Sequence, residues 1–249
     1  LCGHKVHTNL KSLNLQLWRN FANISNTCVA ETILSKIKTT ALQNKDDVKH
    51  YIFCKNVSAP STIVSLGIGE DVTVELQLKN MLPAESEFFG ADPVVQPNSK
   101  LFGKVGTFFP FAVGAKTGIV ESTILQDDGS YKDKDAISID FISFLKDMVN
   151  RTTIDLMIMD NEGPEFDLVP MIAIENALER NGITICQLNV EFHAPGPAQR
   201  YQMFERIMSR VFAAKLFVPL ESLYWGHQRI YFVNLDSPYC MEKYITQFF

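Results

Sequence analysis

The fold predicted for this chain is decided by the stretch Ser61-Thr-Ile-Val-Ser-Leu-Gly67-Ile-Gly69-Glu-Asp71-Val-Thr-Val-Glu75. A β-branched run leads into the two glycines, and an apolar segment with helical spacing follows from Val72 to Leu82. Strand, glycine turn and helix in this order form the first unit of a nucleotide-binding α/β sheet. Two glycines alone do not distinguish such a turn from an ordinary strand-to-helix connection.

Length and charge limit the class of protein. The chain has 249 residues and a net charge of −5, with its basic residues scattered. One α/β domain fits this length. Nucleic-acid binders neutralise phosphates with clustered Lys and Arg, so the charge predicts a small or neutral partner and no nucleic acid. No apolar run reaches the ~18 residues of a membrane span, although the start at Leu1 leaves open a removed signal or anchor.

Sequons and cysteines bear on the cellular compartment. N-glycosylation sequons begin at Asn23, Asn56 and Asn150. The cysteines are Cys2, Cys28, Cys54, Cys186 and Cys240, and their spacing matches no metal motif. We expect a plain core thiol at Cys186 and a disulfide among the first three cysteines if the compartment is oxidising. These features favour the secretory lumen, with a cytoplasmic location as the alternative.

The first fifty residues read as a helical segment. Apolar residues between Ser12 and Gln43 recur near the 3.6-residue period. We therefore predict that residues 1–50 form a helical N-terminal segment packed on a domain that covers residues 51–249. Tyr51–Cys54 is a short strand in this interpretation.

A second strand, Glu87 to Asp92, ends in an acid. Asp92 follows Gly69 by 23 residues, close to the ~20 at which nucleotide-binding sheets place a ribose-binding carboxylate. A carboxylate suits this task because it can accept hydrogen bonds from both ribose hydroxyls. The alternative is an acid that starts the Asp-Pro turn.

The most apolar strand, Ile154–Met159, runs into the acidic segment Asp160-Asn-Glu162-Gly-Pro-Glu165. A continuous apolar run predicts a central strand buried on both faces. Ligands of open α/β sheets bind at the carboxyl ends of their strands, where this segment falls. Asp160 and Glu162 are therefore functional candidates, whereas Glu165 also suits the first turn of a helix.

Polar chemistry also ends the next buried strand, Ile183–Val190, which is followed by Glu191-Phe-His193. His193 is a functional candidate because it lies beside the predicted site. The remaining predicted elements are a strand at Gly106–Val113, a hairpin insertion turning at Asp128-Gly129, helices at Asp140–Val149, Pro164–Asn181 and Ala198–Ala214, and a closing antiparallel pair at Phe217–Leu220 and Arg229–Asn234.

These motifs together resemble the FkbM-type methyltransferases, in particular their animal methyltransferase-like branch. The resemblance rests on Leu66–Asp71 with Glu75, on Gly90–Pro93 and on Asp155–Glu165, and it extends from Tyr51 to Asn234. It implies a class I, Rossmann-like α/β fold with a mostly parallel seven-stranded sheet and an antiparallel last strand. It also implies S-adenosylmethionine as cofactor.

The resemblance implies roles for single residues at the cofactor. Gly67 and Gly69 would let the backbone approach the methionine portion, Asp71 and Glu75 would flank that pocket, and Asp92 would hold the ribose. The sequence departs from the bacterial pattern at Ser65, where that pattern has an acid, and at Asp92-Pro93, which replaces Glu-Pro.

The family's usual chemistry is O-methylation, which requires a group that takes the hydroxyl proton. We predict Asp160, Glu162 and His193 as the catalytic residues, with a hydroxyl acceptor that a secretory location would make a glycan. A carboxylate pair could instead hold a divalent metal, so metal dependence stays open. The alternatives are a luminal metal-dependent glycosyltransferase that uses Asp160 and Glu162, and a non-catalytic relative that only binds the cofactor.

Overall fold

Strands and helices alternate along most of the chain in the computed structural model, which describes residues 14–125, 131–194 and 198–249. Cys2 and the Asp128-Gly129 turn lie outside these residues. The predicted disulfide that would involve Cys2 and the predicted hairpin turn therefore remain predictions.

The α-helices are α1 Asn14–Ala30, α2 Thr73–Met81, α3 Asn98–Phe102, α4 Phe141–Ser143, α5 Glu165–Ala173, α6 Ala198–Ala214 and α7 Pro238–Cys240. The strands are β1 Thr40–Gln43, β2 Val48–Tyr51, β3 Thr62–Leu66, β4 Glu87–Ala91, β5 Thr107–Phe109, β6 Ala112–Gly114, β7 Gly118–Leu125, β8 Tyr131–Asp140, β9 Thr153–Met159, β10 Thr184–Phe192, β11 Phe217–Trp225 and β12 His227–Asn234. Short π-helical segments, Phe144–Val149 and Met241–Ile245, continue α4 and α7.

Seven strands form the main sheet in the order β11-β12-β10-β9-β3-β4-β5. The pairs β10/β9, β9/β3, β3/β4 and β4/β5 are parallel, and β12 runs antiparallel to both of its neighbours. This is the predicted class I, Rossmann-like sheet with an antiparallel last strand. Its order brings the carboxyl ends of β3, β4, β9 and β10 to one edge.

The core lies on both faces of this sheet. Met157 of β9 packs into the layer covered by α1, α5 and α6, while Leu156 packs into the layer beneath α2 and the β1–β2 hairpin. Both side chains are fully buried. The continuous apolar run of β9 is thus explained by burial on two faces, as predicted.

The helical prediction for the N-terminal segment is confirmed for Asn14–Ala30 and wrong for Thr40–Gln43, which is strand β1. β1 pairs with β2 in an antiparallel hairpin, and the turn between them is polar. The apolar spacing wrongly predicts a helix here. Leu42 is buried and the residues on either side of it, Ala41 and Gln43, are exposed, which is the alternation of a strand.

Two further elements are interrupted. The strand predicted at Gly106–Val113 divides at Pro110 into β5 of the main sheet and β6 of a three-stranded sheet with β7 and β8. The helix predicted over Pro164–Asn181 ends at Ala173, three residues after Pro170, and a separate 3₁₀ turn precedes Gly182. Pro170 lies inside this helix and lacks the backbone donor that would bond the Phe166 carbonyl.

Cys186 on β10 forms a disulfide with Cys240 on α7, with 5.1 Å between their Cα atoms. The prediction of a plain core thiol at Cys186 is therefore wrong. The apolar surroundings that suggested a simple core residue are real, because both cysteines are buried. The bond ties the carboxyl-terminal segment to the central sheet.

Candidate active site

The glycine turn joins two strand ends. Gly67 has a φ of +79°, and a Cβ placed on it would lie 1.9 Å from the carbonyl oxygen of Asp160. The Asp160 amide also donates to the Leu66 carbonyl at 2.8 Å. Glycine is therefore required at position 67 for β3 and β9 to approach each other. At Gly69, by contrast, an added Cβ would have no atom of the described residues within 4 Å, so space remains on that side of the turn.

Asp92 stabilises this turn by accepting hydrogen bonds from backbone amides. Its Oδ2 accepts from the amides of Ile68 at 2.6 Å and Gly69 at 3.3 Å, and its Oδ1 accepts from the Val94 amide at 2.7 Å. A buried carboxylate with three backbone donors stabilises the conformation that presents them. The ribose contact of Asp92 stays a prediction, and Oδ1 retains the capacity for a second hydrogen bond.

Glu75 reaches the end of β3 from helix α2. The Ser65 hydroxyl donates to Glu75 Oε1 at 2.6 Å, and both residues are buried. Burial raises the pKa of the Glu75 carboxyl, and the hydrogen bond from Ser65 opposes this shift. A helix thus delivers an acid to the strand position where the bacterial pattern has one, which accounts for Ser65.

Asp71 has a different set of partners from Glu75. Its Oδ1 accepts from the amide and the hydroxyl of Thr73, at 3.0 and 2.5 Å, and its Oδ2 accepts from the Lys45 amide at 3.0 Å. Partial burial opposes ionisation, but these hydrogen bonds lower the pKa of Asp71. Asp71 therefore starts helix α2 and anchors the hairpin turn, and its predicted place beside the cofactor stays a prediction.

A buried hydrogen-bond acceptor beside the glycine turn, the side-chain oxygen of Asn161, lacks a protein partner among the described residues and suits a cofactor that carries N–H donors. Asn161 Oδ1 has no hydrogen-bond partner among the described residues, although its amide nitrogen donates to the Val113 carbonyl at 3.1 Å. Gly67 lies directly against the Asn161 backbone. Buried polar atoms nearly always have partners, and the amino group of a methionine moiety would supply one. The residues at this edge therefore fit S-adenosylmethionine.

A second group of charged residues lies beside the turn, at the carboxyl ends of β9 and β10. His193 Nε2 lies 3.4 Å from Asp160 Oδ1 and 3.3 Å from Glu162 Oε1, and its Nδ1 lies 3.2 Å from Glu165 Oε1. The three predicted catalytic residues, Asp160, Glu162 and His193, therefore meet in space. Glu165 is fully buried and also binds the amides of His193 and Gly163, at 2.9 and 2.6 Å.

The protonation state of His193 changes its predicted role. Burial alone would lower its pKa, but the carboxylates of Asp160, Glu162 and Glu165 raise the pKa to about 12. His193 is consequently an imidazolium at neutral pH, with both nitrogens donating. A proton held between carboxylates disfavours His193 as the base, and its catalytic role stays a prediction.

Two charged residues of the hairpin complete the group. Lys49 Nζ, on β2, lies 2.5 Å from Asp47 Oδ2 and 3.1 Å from Asp160 Oδ2. Desolvation would lower the pKa of Lys49, but the carboxylates of Asp160, Asp47 and Glu191 raise it above its usual value. For Asp160, burial opposes ionisation, yet Lys49 and His193 hold its pKa well below the usual range. Asp160 is a permanent anion and a weak base.

Glu191 adds a buried carboxylate from β10. Arg229 Nη2 donates to its Oε1 at 2.8 Å. Burial and the neighbouring Asp160 raise the pKa of Glu191 to about 7, against the opposing charges of Lys49 and Arg229. His227 accepts from the Ala194 amide at 3.0 Å, and burial and the charge of His193 lower its pKa, so it is neutral.

Sequence reasoning missed the contributors that come from distant segments. They are Asp47, Lys49, His227 and Arg229, and Glu191 was noted at its strand end without a role. Lys49 carried a usable signal, because a charged residue is unusual on the buried face of a strand, and the buried Asp47 directly precedes that strand. Identifying it required knowing that Val48–Tyr51 is a strand.

None of the helices among the described residues is both long enough and apolar enough to cross a membrane.

Comparison with known proteins identifies the family. Residues 24–217 match the family model described as the methyltransferase FkbM domain, which is well over half of the chain. No curated protein matches the sequence significantly. A solved structure similar to this one is an rRNA methylase from Escherichia coli, with 13% identity and a TM-score of 0.35. The match covers 71% of this chain and 58% of that one. The protein thus belongs to the FkbM methyltransferase family.

Proposed function

We propose that this methyltransferase transfers a methyl group to a hydroxyl oxygen, with Glu162 as the proton acceptor. The observation that carries the proposal is the contact between the glycine turn and the cluster of charged residues around His193. Gly67, in the turn, lies against the backbone of Asp160, and the Asp160 side chain belongs to that cluster. Methyl donor and acceptor must meet within a few ångströms for an in-line displacement, and this edge brings their binding residues together.

The proton path follows from the charges. When bound, S-adenosylmethionine supplies an electrophilic methyl group on a sulfonium. The acceptor hydroxyl donates to a carboxylate; as its oxygen forms the bond to the methyl carbon, the carbon–sulfur bond breaks, sulfur keeps the electron pair, and the proton passes to that carboxylate. Both side chains are 31% exposed, but Glu162 suits this step better than Asp160, because His193 alone is its ion-pair partner among the described residues, whereas Asp160 is paired with Lys49 as well.

Asp160 and His193 then have positioning roles. Asp160 is held between Lys49 on Oδ2 and His193 on Oδ1, which fixes the plane of its carboxylate. His193 spans Asp160, Glu162 and Glu165, so it keeps three like charges together at one strand end. A fixed acceptor-side geometry is what a transfer between two bound molecules requires.

The charge of the site supports a neutral, hydroxyl-bearing acceptor. Its carboxylates are Asp47, Asp160, Glu162, Glu165 and Glu191, and its cations are Lys49, His193 and Arg229. This excess of negative charge repels phosphate groups, which disfavours nucleic acid as the acceptor. Neutral sugar hydroxyls donate readily to carboxylates, so a glycan is the acceptor class we propose.

A location in the secretory lumen is part of this proposal. The Cys186–Cys240 disulfide is typical of an oxidising compartment. Asn23, Asn56 and Asn150, which begin the three sequons, are all exposed. Glycan acceptors are abundant in that compartment, which is consistent with the proposed acceptor class.

The test combines a substrate panel with one variant. Transfer of a labelled methyl group from S-adenosylmethionine is measured to neutral glycans, to acidic glycans and to RNA. We expect transfer to neutral glycans, with Glu162→Gln reducing turnover by about 100-fold and leaving the affinity for S-adenosylhomocysteine unchanged. Transfer to RNA alone would contradict the acceptor class, and full turnover of Glu162→Gln would contradict its role as proton acceptor.

A glycosyltransferase would behave differently in the same panel. It would bind a nucleotide diphosphate sugar in the presence of Mn²⁺ and would not bind S-adenosylmethionine. A non-catalytic relative would bind S-adenosylhomocysteine and methylate nothing in the panel.

A further inference from the structure

The charged group contains an arrangement that resembles a metal site with a lysine at its centre. Carboxylate oxygens of Asp47, Asp160 and Glu191 lie within 4.8 Å of one another, close enough to share a divalent cation. The ammonium of Lys49 lies among them, 2.5 Å from Asp47 Oδ2, 3.1 Å from Asp160 Oδ2 and 3.9 Å from Glu191 Oε2.

We propose that the Lys49 ammonium takes the place of a divalent cation in this centre, so that Lys49 is a positioning residue and the acceptor side works without a metal. The inference rests on the proposed function only in calling this centre the acceptor side. The substitution of a metal by an ammonium rests on geometry alone.

The donors of Lys49 match its surroundings. An ammonium group has three N–H donors; this one donates a hydrogen bond to Asp160 and forms ion pairs with Asp47 and, at 3.9 Å, with Glu191. The Lys49 side chain is only 6% exposed, and a buried cation is stable only when it is paired in this way. Asp47 and Glu191 are as deeply buried as Lys49, so each of the three charges depends on the others.

The backbone that follows Lys49 is held by two side-chain amides. The amide and carbonyl of His50 bond to the side chain of Asn189, each at 2.8 Å. The amide and carbonyl of Ile52 bond to the side chain of Gln187, at 2.7 and 3.2 Å. Two side-chain amides on β10 therefore clamp strand β2 and place the Lys49 ammonium against the end of the sheet.

Removal of Lys49 would leave the centre with an imbalance of charge. Asp47, Asp160 and Glu191 would keep Arg229 as a shared cation, since it lies 3.4 Å from Asp47 and 2.8 Å from Glu191. The centre would then lose one of its three neighbouring cations, Lys49, His193 and Arg229, in a buried place with oxygen ligands already gathered. Mn²⁺ and Mg²⁺ prefer such ligands.

A neighbouring triad does not offer the same possibility. Glu191, His193 and His227 also place ligand atoms within 4.8 Å of one another. Both ring nitrogens of His193 already face carboxylates, Nε2 those of Asp160 and Glu162 and Nδ1 that of Glu165, at 3.2 to 3.4 Å.

The experiment titrates wild type, Lys49→Met and Lys49→Arg with Mn²⁺ and monitors binding by electron paramagnetic resonance. We expect no binding by wild type or Lys49→Arg, and about one Mn²⁺ per Lys49→Met chain, with a rise in its melting temperature on the order of a few degrees. Asp47→Asn added to Lys49→Met should weaken that binding at least about tenfold, because it removes a charged ligand.

The outcomes separate this inference from the proposed function. Binding of Mn²⁺ by wild type at the Asp47 carboxylate would overturn the inference, whatever the cofactor result. If Lys49→Met does not fold alone, we expect Mn²⁺ to restore its folding, and failure to do so also overturns it. Binding of S-adenosylhomocysteine is measured in parallel without metal: its absence in wild type contradicts the proposed function and leaves the lysine assignment standing.

Discussion

The glycine turn and the carboxylate group lie against each other, but they are built in opposite ways. The turn comes from one continuous stretch, Ser61 to Glu75, together with Asp92, and backbone amides supply most of its hydrogen bonds. The carboxylate group comes from the β1–β2 hairpin, β9, β10 and β12, and side chains supply nearly all of its contacts. It follows that a turn built from backbone amides depends little on the identity of its side chains, whereas a cluster built from side chains changes with each substitution.

The largest expected effect is at the contact between the two regions. Gly67→Ala would place a methyl group against the Asp160 carbonyl, and backbone cannot move aside as a side chain can. We expect it to lower the free energy of unfolding by about 4 kcal/mol or more.

Gly69→Ala is the matched control. It has a similar positive φ of +57° but no atom in its way among the described residues. We expect a cost of about 1 to 2 kcal/mol. Urea denaturation measures both, and equal costs would show that β3 and β9 do not approach as described.

Asp92→Ala should have the next largest effect. It leaves the amides of Ile68, Gly69 and Val94 without their acceptor, which we expect to cost about 3 kcal/mol. We also expect binding of S-adenosylhomocysteine to be lost, as measured by calorimetry below the unfolding temperature. Unchanged stability would contradict the claim that Asp92 stabilises the glycine turn. Unchanged affinity would show that Asp92 does not bind the ribose. Asp92→Asn keeps one acceptor and should fall between.

His193 provides a test by pH. The unfolded chain releases this proton near pH 6.5, whereas the folded chain retains it up to a pKa of about 12. The contribution of His193 to stability is therefore complete below pH 6.5 and declines as pH rises, by about 1.4 kcal/mol per pH unit. Between about pH 7 and about pH 9, wild type should lose stability more steeply than His193→Gln. Parallel curves from urea denaturation would mean that His193 is neutral.

The smallest expected effect is at Asp71. Asp71→Ala removes the acceptor for the first turn of α2 and for Lys45, at a cost of about 1 kcal/mol in thermal or urea unfolding. The predicted contact of Asp71 with the cofactor adds a fall in affinity for S-adenosylhomocysteine, measured by calorimetry. Unchanged affinity would remove that contact and leave Asp71 its place at the start of α2.

The same contrast explains how much could be predicted from sequence. The turn at Gly67 and the meeting of Asp160 with His193 follow from local patterns, because strand ends of a parallel sheet share one edge. The sheet with its antiparallel last strand was implied by the family resemblance. Asp47 and Lys49 could not be placed, since they fall in residues 1–50, which the sequence assigned to a helical N-terminal segment, whereas the structure has a hairpin there. Side-chain amides of β10 determine where that hairpin packs, and no local pattern contains this information.

The protonation state of His193 could not be predicted from the sequence either. His193 appeared suited to act as a base because its free pKa lies near neutrality. The carboxylates that make it a permanent cation belong to Asp160, Glu162 and Glu165, which follow a different strand, and only the fold brings them to the imidazole.

The central claim is that the turn at Gly67 and Gly69 is one wall of a cofactor pocket that needs no metal. Calorimetric titration of the wild-type chain with S-adenosylhomocysteine, in the presence of a chelator, tests it most directly. We predict saturable binding of about one molecule per chain. No binding under these conditions, together with Mn²⁺-dependent binding of a nucleotide diphosphate sugar, would contradict it.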